Sequence, residues 1–148
     1  MVWKPHVTVA AIVEREGRFL MVEENTSDGI RVNQPAGHLE NGESLVDAVV
    51  RETREETAWL FRPRGLLGVY RWPHPQKDIT YIRFTFVGDV SHHDPLQALD
   101  SGILRASWMN YDDLIECRQE HRSSQVLACV NDYLKRNIVS LDFLNEPG

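Results

Sequence analysis

An α/β fold, with a mixed β-sheet sandwiched between helices, is the class this 148-residue chain predicts. Three observations carry that reading. Residues 7–13 form a near-continuous apolar run, as expected of a strand buried on both faces. Residues 79–87 alternate instead, with Ile82, Phe84 and Phe86 on one face and Tyr81, Arg83 and Thr85 on the other. Between them, residues 45–57 place Val46, Val49, Val50 and Thr53 on one stripe at about 100° per residue, the signature of an amphipathic helix.

The remaining elements follow in order. Glu16-Gly17 makes a turn into a second strand over residues 18–22, so that the first two strands read as a hairpin. Ser27-Asp28-Gly29 marks a loop, and residues 33–37 are extended because Pro35 disfavours helix at Gln34. Ser44 is a suitable N-cap for the helix, with Asp47 three residues on as a weaker form of the capping box. Residues 66–72 read as a strand, residues 73–78 as a loop and residues 103–109 as a short strand. Residues 111–117 and 124–135 read as helices, the second with Val126, Val130, Tyr133 and Leu134 on one side. Residues 138–148 carry no clear period.

The chemistry is concentrated near the end of the first helix, in Glu52, Glu55 and Glu56. Residues three and four apart share one side of a helix, so these like charges repel by a few tenths of a kcal/mol per pair. A hard divalent cation turns that cost into a binding site, because Mg2+ prefers carboxylate oxygens and keeps its other positions for water and phosphates. A solvated acidic helix face is the commoner origin of such a cluster. Here, however, Gly37, Glu43 and Arg51 stand in fixed register with it: Gly37, five residues, Glu43, seven residues, then Arg51-Glu52-Thr53-Arg54-Glu55-Glu56.

That spacing resembles the Nudix box of pyrophosphohydrolases. Two positions depart from it: Thr53 stands where an aliphatic residue is usual, and Ala58 replaces the closing Gly. Neither position supplies a metal-ligating side chain. The resemblance implies a Nudix-type α/β/α sandwich formed by a single domain over residues 1–148, and Mg2+, or Mn2+ in its place, as cofactor. It implies Glu52 and Glu56 as the metal-binding pair and Glu55 as a further ligand or the general base. It also implies a backbone carbonyl ligand from the Ala36-Gly37 turn, where Gly permits close approach. Glu43 and Arg51 look like the family's paired supports, Arg51 neighbouring Glu55 on the helix and reaching Glu43 to orient the cluster.

Shorter stretches extend the resemblance to NudJ-type phosphatases: residues 4–10, residues 33–40, Arg83-Phe84 with Phe86, Trp108 and Arg122-Ser123. What this implies is Mg2+-dependent release of orthophosphate from nucleoside tri- and diphosphates and from thiamine-related pyrophosphates such as hydroxymethylpyrimidine pyrophosphate. Two other readings share the box: a nucleotide-sugar or dinucleotide pyrophosphatase, and a nucleotide-binding sensor without catalysis. Loss of box carboxylates would point to the sensor, and none is lost.

Outside the box, Arg83 is a candidate for gripping a phosphate bidentately, against the alternative of an edge-strand surface arginine. Arg122 opens the last helix, where backbone N–H groups receive anions, although capping alone also accounts for Arg122-Ser123-Ser124. Trp3 and Trp72 are expected to be buried aromatics more than stacking platforms. His92-His93-Asp94 reads as a solvated loop, and His38 lies inside the box without an assigned role.

Composition bounds the partners. A formal net charge of −6 argues against a nucleic-acid surface, which needs a basic stripe. A small phosphorylated substrate is compatible with that acidity once a metal neutralises the site. The first apolar run is too short for a signal peptide or a membrane span. Cys117 and Cys129 show no metal or redox spacing and are expected to be reduced core thiols of a cytoplasmic protein, monomeric or homodimeric.

Overall fold

The computed structural model describes residues 2–147. Its strands are β1 (His6–Ile12), β2 (Glu14–Arg15), β3 (Arg18–Thr26), β4 (Gly29–Asn33), β5 (Ala36–His38), β6 (Leu60–Pro73), β7 (Thr80–Ser91) and β8 (Ile103–Asn110). Its α-helices are α1 (Leu45–Thr57), α2 (Tyr111–Glu116) and α3 (Gln125–Lys135), with 3-10 turns at Arg118–Glu120 and Leu141–Phe143.

Among the described residues the strands form two four-stranded sheets rather than one. The first is mixed, in the order β5-β1-β7-β6. Its central pair, β1 and β7, runs parallel from His6 opposite Tyr81 to Ile12 opposite Val87, while β5 and β6 join antiparallel. In the second, β3 pairs antiparallel with β2, β4 and β8. The expected hairpin at Glu16-Gly17 is present, both residues at positive φ as a two-residue hairpin turn requires. Its first arm is the short β2, however, because β1 is already paired on both edges.

The first sheet is covered on both sides. Val9, Ala11, Leu66 and Phe86 pack against Ala48 and Val49 of α1. Ile12, Leu67 and Val87 pack against Val126, Cys129 and Val130 of α3. This explains why β1 reads as continuously apolar. On α1, Val49 and Thr53 are buried as the period predicts, with Val46 and Val50 half-buried at the margin. On α3, Cys129 replaces Leu134 in the buried stripe. Leu134 lies about 80° round the helix from Val126 and is 55% exposed. Both cysteines are free thiols.

The strand β6 begins six residues before the predicted one. Pro63 and the charged Arg62 and Arg64 obscure its alternation, and the register shifts on either side of Gly65 and Leu66 absorb the proline on an edge strand. The tail beyond α3 is ordered along that edge. Val139 bridges Leu66, and the Glu146 carboxylate accepts the Leu45 N–H at 3.1 Å in the first turn of α1.

Ser44 caps α1 as expected, its side chain accepting the Asp47 N–H at 3.0 Å. At the other end Ala58 sits at φ 62°, the left-handed conformation that suits Gly. Ala58→Gly should therefore stabilise the protein by about 0.5–1 kcal/mol, read as a rise in denaturant midpoint at unchanged slope. An unchanged or lower midpoint would mean that the buried Ala58 methyl offsets the backbone strain.

Candidate active site

Arg51 organises the acidic helix face. Its Nε donates to Glu43 Oε2 at 2.6 Å and its Nη2 to Glu43 Oε1 at 3.0 Å, a bidentate pair. Its Nη1 donates to Glu52 at 2.8 Å and Glu55 at 2.9 Å, and Nη2 also reaches the His38 carbonyl at 3.1 Å. One guanidinium thus holds three carboxylates, and its own pKa rises, chiefly through the Glu43 hydrogen bond. Arg51's hydrogen bonds keep Glu43 below the usual carboxylate range. Arg51 is half-buried, while Asp47 and Arg54 on the same helix face solvent.

Glu56 lies one turn on and is 7% exposed. Its Oε1 accepts the Ala36 N–H at 2.9 Å, which ties α1 to β5. Burial pushes its carboxyl up to about 9 against that hydrogen bond, with Glu52, Glu24 and Asp100 adding repulsion. Burial likewise raises Glu52. Gly37 is in a strand, not a turn, and it is needed for space rather than for backbone freedom. A Cβ there would collide with the Glu52 carboxylate. The absence of a side chain at Gly37 is what lets Glu52 lie against β5.

Glu52, Glu56 and Gly37 open into a cavity of about 490 Å3 between the two sheets, and Arg83 and Arg122 line it too. The predicted site residues are therefore brought together, except that Glu43, Arg51 and Glu55 do not line the cavity and are joined to it through the Arg51–Glu52 bond. Arg83 is no surface arginine: it is 3% exposed on a central strand. Its Nη1 donates to Gln34 Oε1 at 3.1 Å and its Nη2 to Asn33 Oδ1 at 2.9 Å, both neutral groups. Arg122 pairs with Glu24 at 3.2 Å. The hard oxygens of Glu52 and Glu56, buried without a full counter-charge, suit a divalent cation. No three His, Cys, Asp or Glu side chains among the described residues converge as a ready cage. What the cavity offers a cation is instead the Glu52 and Glu56 carboxyls and the backbone at Gly37.

Several contributors escape the sequence reading. Gln34 is fully buried, its Nε2 donating to the Val126 carbonyl at 2.8 Å, so its oxygen must face Arg83. The signal was present: Gln34 is two residues from the buried Val32, a polar side chain at an inward position. Asp100, whose N–H bonds the Glu55 carbonyl at 2.8 Å, comes from a loop without recognisable spacing. Trp72 is only half-buried and lines the cavity, and Trp3 is 54% exposed, so neither is the core aromatic expected. His92 and His93 are exposed, as their loop predicts. His38 sits 3.3 Å from His6, with its pKa lowered by burial and then by that neighbour. No helix is long and apolar enough to cross a membrane among the described residues.

Comparison with known proteins agrees with this geometry. The NUDIX domain family model matches residues 4–128. Phosphatase NudJ of Escherichia coli K12 is 39% identical over 144 residues, which cover 97% of this chain and 93% of that protein. The solved structure of a NUDIX hydrolase from Nitrosomonas europaea superposes with a TM-score of 0.94 at 43% identity, covering 97% of this chain and 98% of its own. The MutT NUDIX hydrolase of Burkholderia pseudomallei, at 18% identity, shares the fold with a TM-score of 0.75 over 88% of this chain and 98% of its own. A buried acidic helix face braced by one arginine, matched over nearly the whole chain by such relatives, makes this protein a member of the Nudix hydrolase family, an enzyme acting on phosphoanhydrides.

Proposed function

We propose that the enzyme removes terminal orthophosphate from small diphosphates and triphosphates, with Mg2+ (or Mn2+) as cofactor. The substrates in this reading are nucleoside di- and triphosphates or thiamine-related pyrophosphates such as hydroxymethylpyrimidine pyrophosphate. The protein acts as a single cytoplasmic domain, monomeric or homodimeric. One observation carries the proposal: a buried carboxyl, Glu56, whose burial holds its proton, and a buried guanidinium, Arg83, line one cavity, neither paired with an opposite charge. A buried charge is costly while it is unpaired. A metal-bound diphosphate would let Glu56 ionise against the cation and give Arg83 its counter-charge in the phosphate oxygens.

In this reading Glu52 and Glu56 hold the cation, with the Gly37 backbone carbonyl alongside. When bound, such an ion screens phosphate charge and lowers the pKa of water. Glu55 serves as a further ligand or takes the proton from the attacking water. Arg51, anchored by Glu43, bonds Glu52 and Glu55 directly and so orients both carboxylates. Arg83, preset by Gln34 and Asn33, orients the phosphates, and Arg122, paired with Glu24, lines the same cavity.

Product analysis tests this. With Mg2+, a nucleoside diphosphate should yield orthophosphate and the monophosphate, detected by anion-exchange chromatography. Two monophosphates from a dinucleotide or a nucleotide sugar, with no orthophosphate from diphosphates, would assign the enzyme to internal bridges instead. Tight binding without any product would make it a sensor.

A further inference from the structure

Two histidines beside the cavity take no part in the chemistry assigned to the acidic helix face. His6 lies on β1 and His38 on the antiparallel β5, where His38 stands directly opposite Thr8. Positions two apart on a strand share a face, so His6 and His38 sit diagonally on one side of the sheet. Their ring nitrogens, Nδ1 of His6 and Nε2 of His38, are 3.3 Å apart. Among the described residues each of these nitrogens has only the other as a hydrogen-bond partner. Tyr81, opposite His6 on β7, flanks both rings, its centroid 5.5 Å from that of His6 and 6.2 Å from that of His38. The pair is therefore set by the register of three strands, and His38 and Tyr81 line the cavity.

Two imidazoles on one tetrahedral Zn2+, each at about 2.0–2.1 Å, hold their nitrogens about 3.3–3.4 Å apart. The separation in this protein matches that of such a clip. Imidazole suits Zn2+, Cu2+ and Ni2+, whereas Mg2+ takes carboxylates and water, so the two donor sets select different ions. We infer that His6 and His38 form a second cation site, for a transition ion of the Zn2+ class, separate from the Glu52 and Glu56 carboxyls. Its two remaining positions fall to water or to an oxygen from a ligand in the cavity that His38 lines. An ion held there ties β5 to β1 beside Gly37, the backbone against which Glu52 lies. Binding of the ion needs no substrate, so the site stands or falls apart from the phosphatase reading. The competing account is a plain hydrogen bond between the two rings.

Zn2+ is titrated calorimetrically into the protein in excess Mg2+, for wild type, His6→Ala, His38→Ala and Glu56→Gln. Changing even an outer partner of a metal ligand weakens binding about 10–100-fold, so removing a ligand should cost at least about tenfold in Zn2+ affinity. Either histidine variant should show that loss, and Glu56→Gln should bind Zn2+ as tightly as wild type at this site. In wild type, the ring signals of His6 and His38 should shift together in two-dimensional NMR, saturating at one equivalent of Zn2+. Those of His74, His92, His93 and His121 should stay in place. The NMR arm needs no variant, so a histidine variant that fails to fold still leaves the site decided. Absence of Zn2+ binding, or ring shifts at the other histidines instead, would reduce the pair to a hydrogen bond. Binding lost in Glu56→Gln but kept in both histidine variants would place the ion at the carboxyls and overturn the second site.

Discussion

Glu56→Gln should lower kcat by well over a hundredfold while the protein stays folded. The outer partners of metal ligands typically cost about 10–100-fold when changed, and a ligand costs more. The substitution is isosteric, and its amide oxygen can still accept the Ala36 N–H that ties α1 to β5. Stability gives an independent readout. In the metal-free protein the folded chain keeps the Glu56 proton up to about pH 9, whereas a free carboxyl loses it near 4.5. Between those values unfolding releases a proton, so stability falls as pH rises through the window and does not depend on this group below it. Glu56→Gln should flatten the decline. Thermal melts in chelator from pH 5 to 9 measure it, and parallel wild-type and variant profiles would show that Glu56 is not the titrating group. Near-normal activity with Mg2+ would remove Glu56 from the reaction altogether.

For Arg83→Ala the expected loss is in KM, by about 10–100-fold, with kcat moved much less. A hydrogen bond to a charged group is worth about 1.5–3 kcal/mol, and the guanidinium is already aimed by Gln34 and Asn33. Arg83→Lys should recover only part of the loss, because a point charge cannot reproduce a planar fork held by two amide oxygens. Folding should lose about 1–3 kcal/mol as well, because the fully buried Gln34 amide oxygen is left without its donor. Unchanged steady-state constants would leave Arg83 as a purely structural link between β7 and α3.

The acidic cluster was legible because helix geometry is local. Ser44, the apolar stripe and the Glu43–Arg51–Glu55 relation all fall within a few turns, and each is as the spacing implies. The strand β1 was legible for a related reason, since burial on both faces writes itself as an unbroken apolar run. The division into two sheets was not. The strands β2 and β5 are too short to show a period, β4 follows β3 after a tight turn at Gly29, and which strand pairs with which is settled by long-range packing. Gly37 was read as a turn residue because its sequence neighbours are Pro35 and Ala36. Only the helix opposite shows that what matters is the absent Cβ. Gln34 left only its two-residue offset from Val32 as a signal, and Asp100 joins the site across the fold with no spacing to find.

The bond from Glu146 to the Leu45 N–H joins residues 101 positions apart. The helix carrying the acidic face is therefore fastened at its first turn by a residue close to the opposite end of the chain. Loss of the Glu146 carboxylate, or a bulky group fused beside it, would act on the acidic face without touching any residue that lines the cavity.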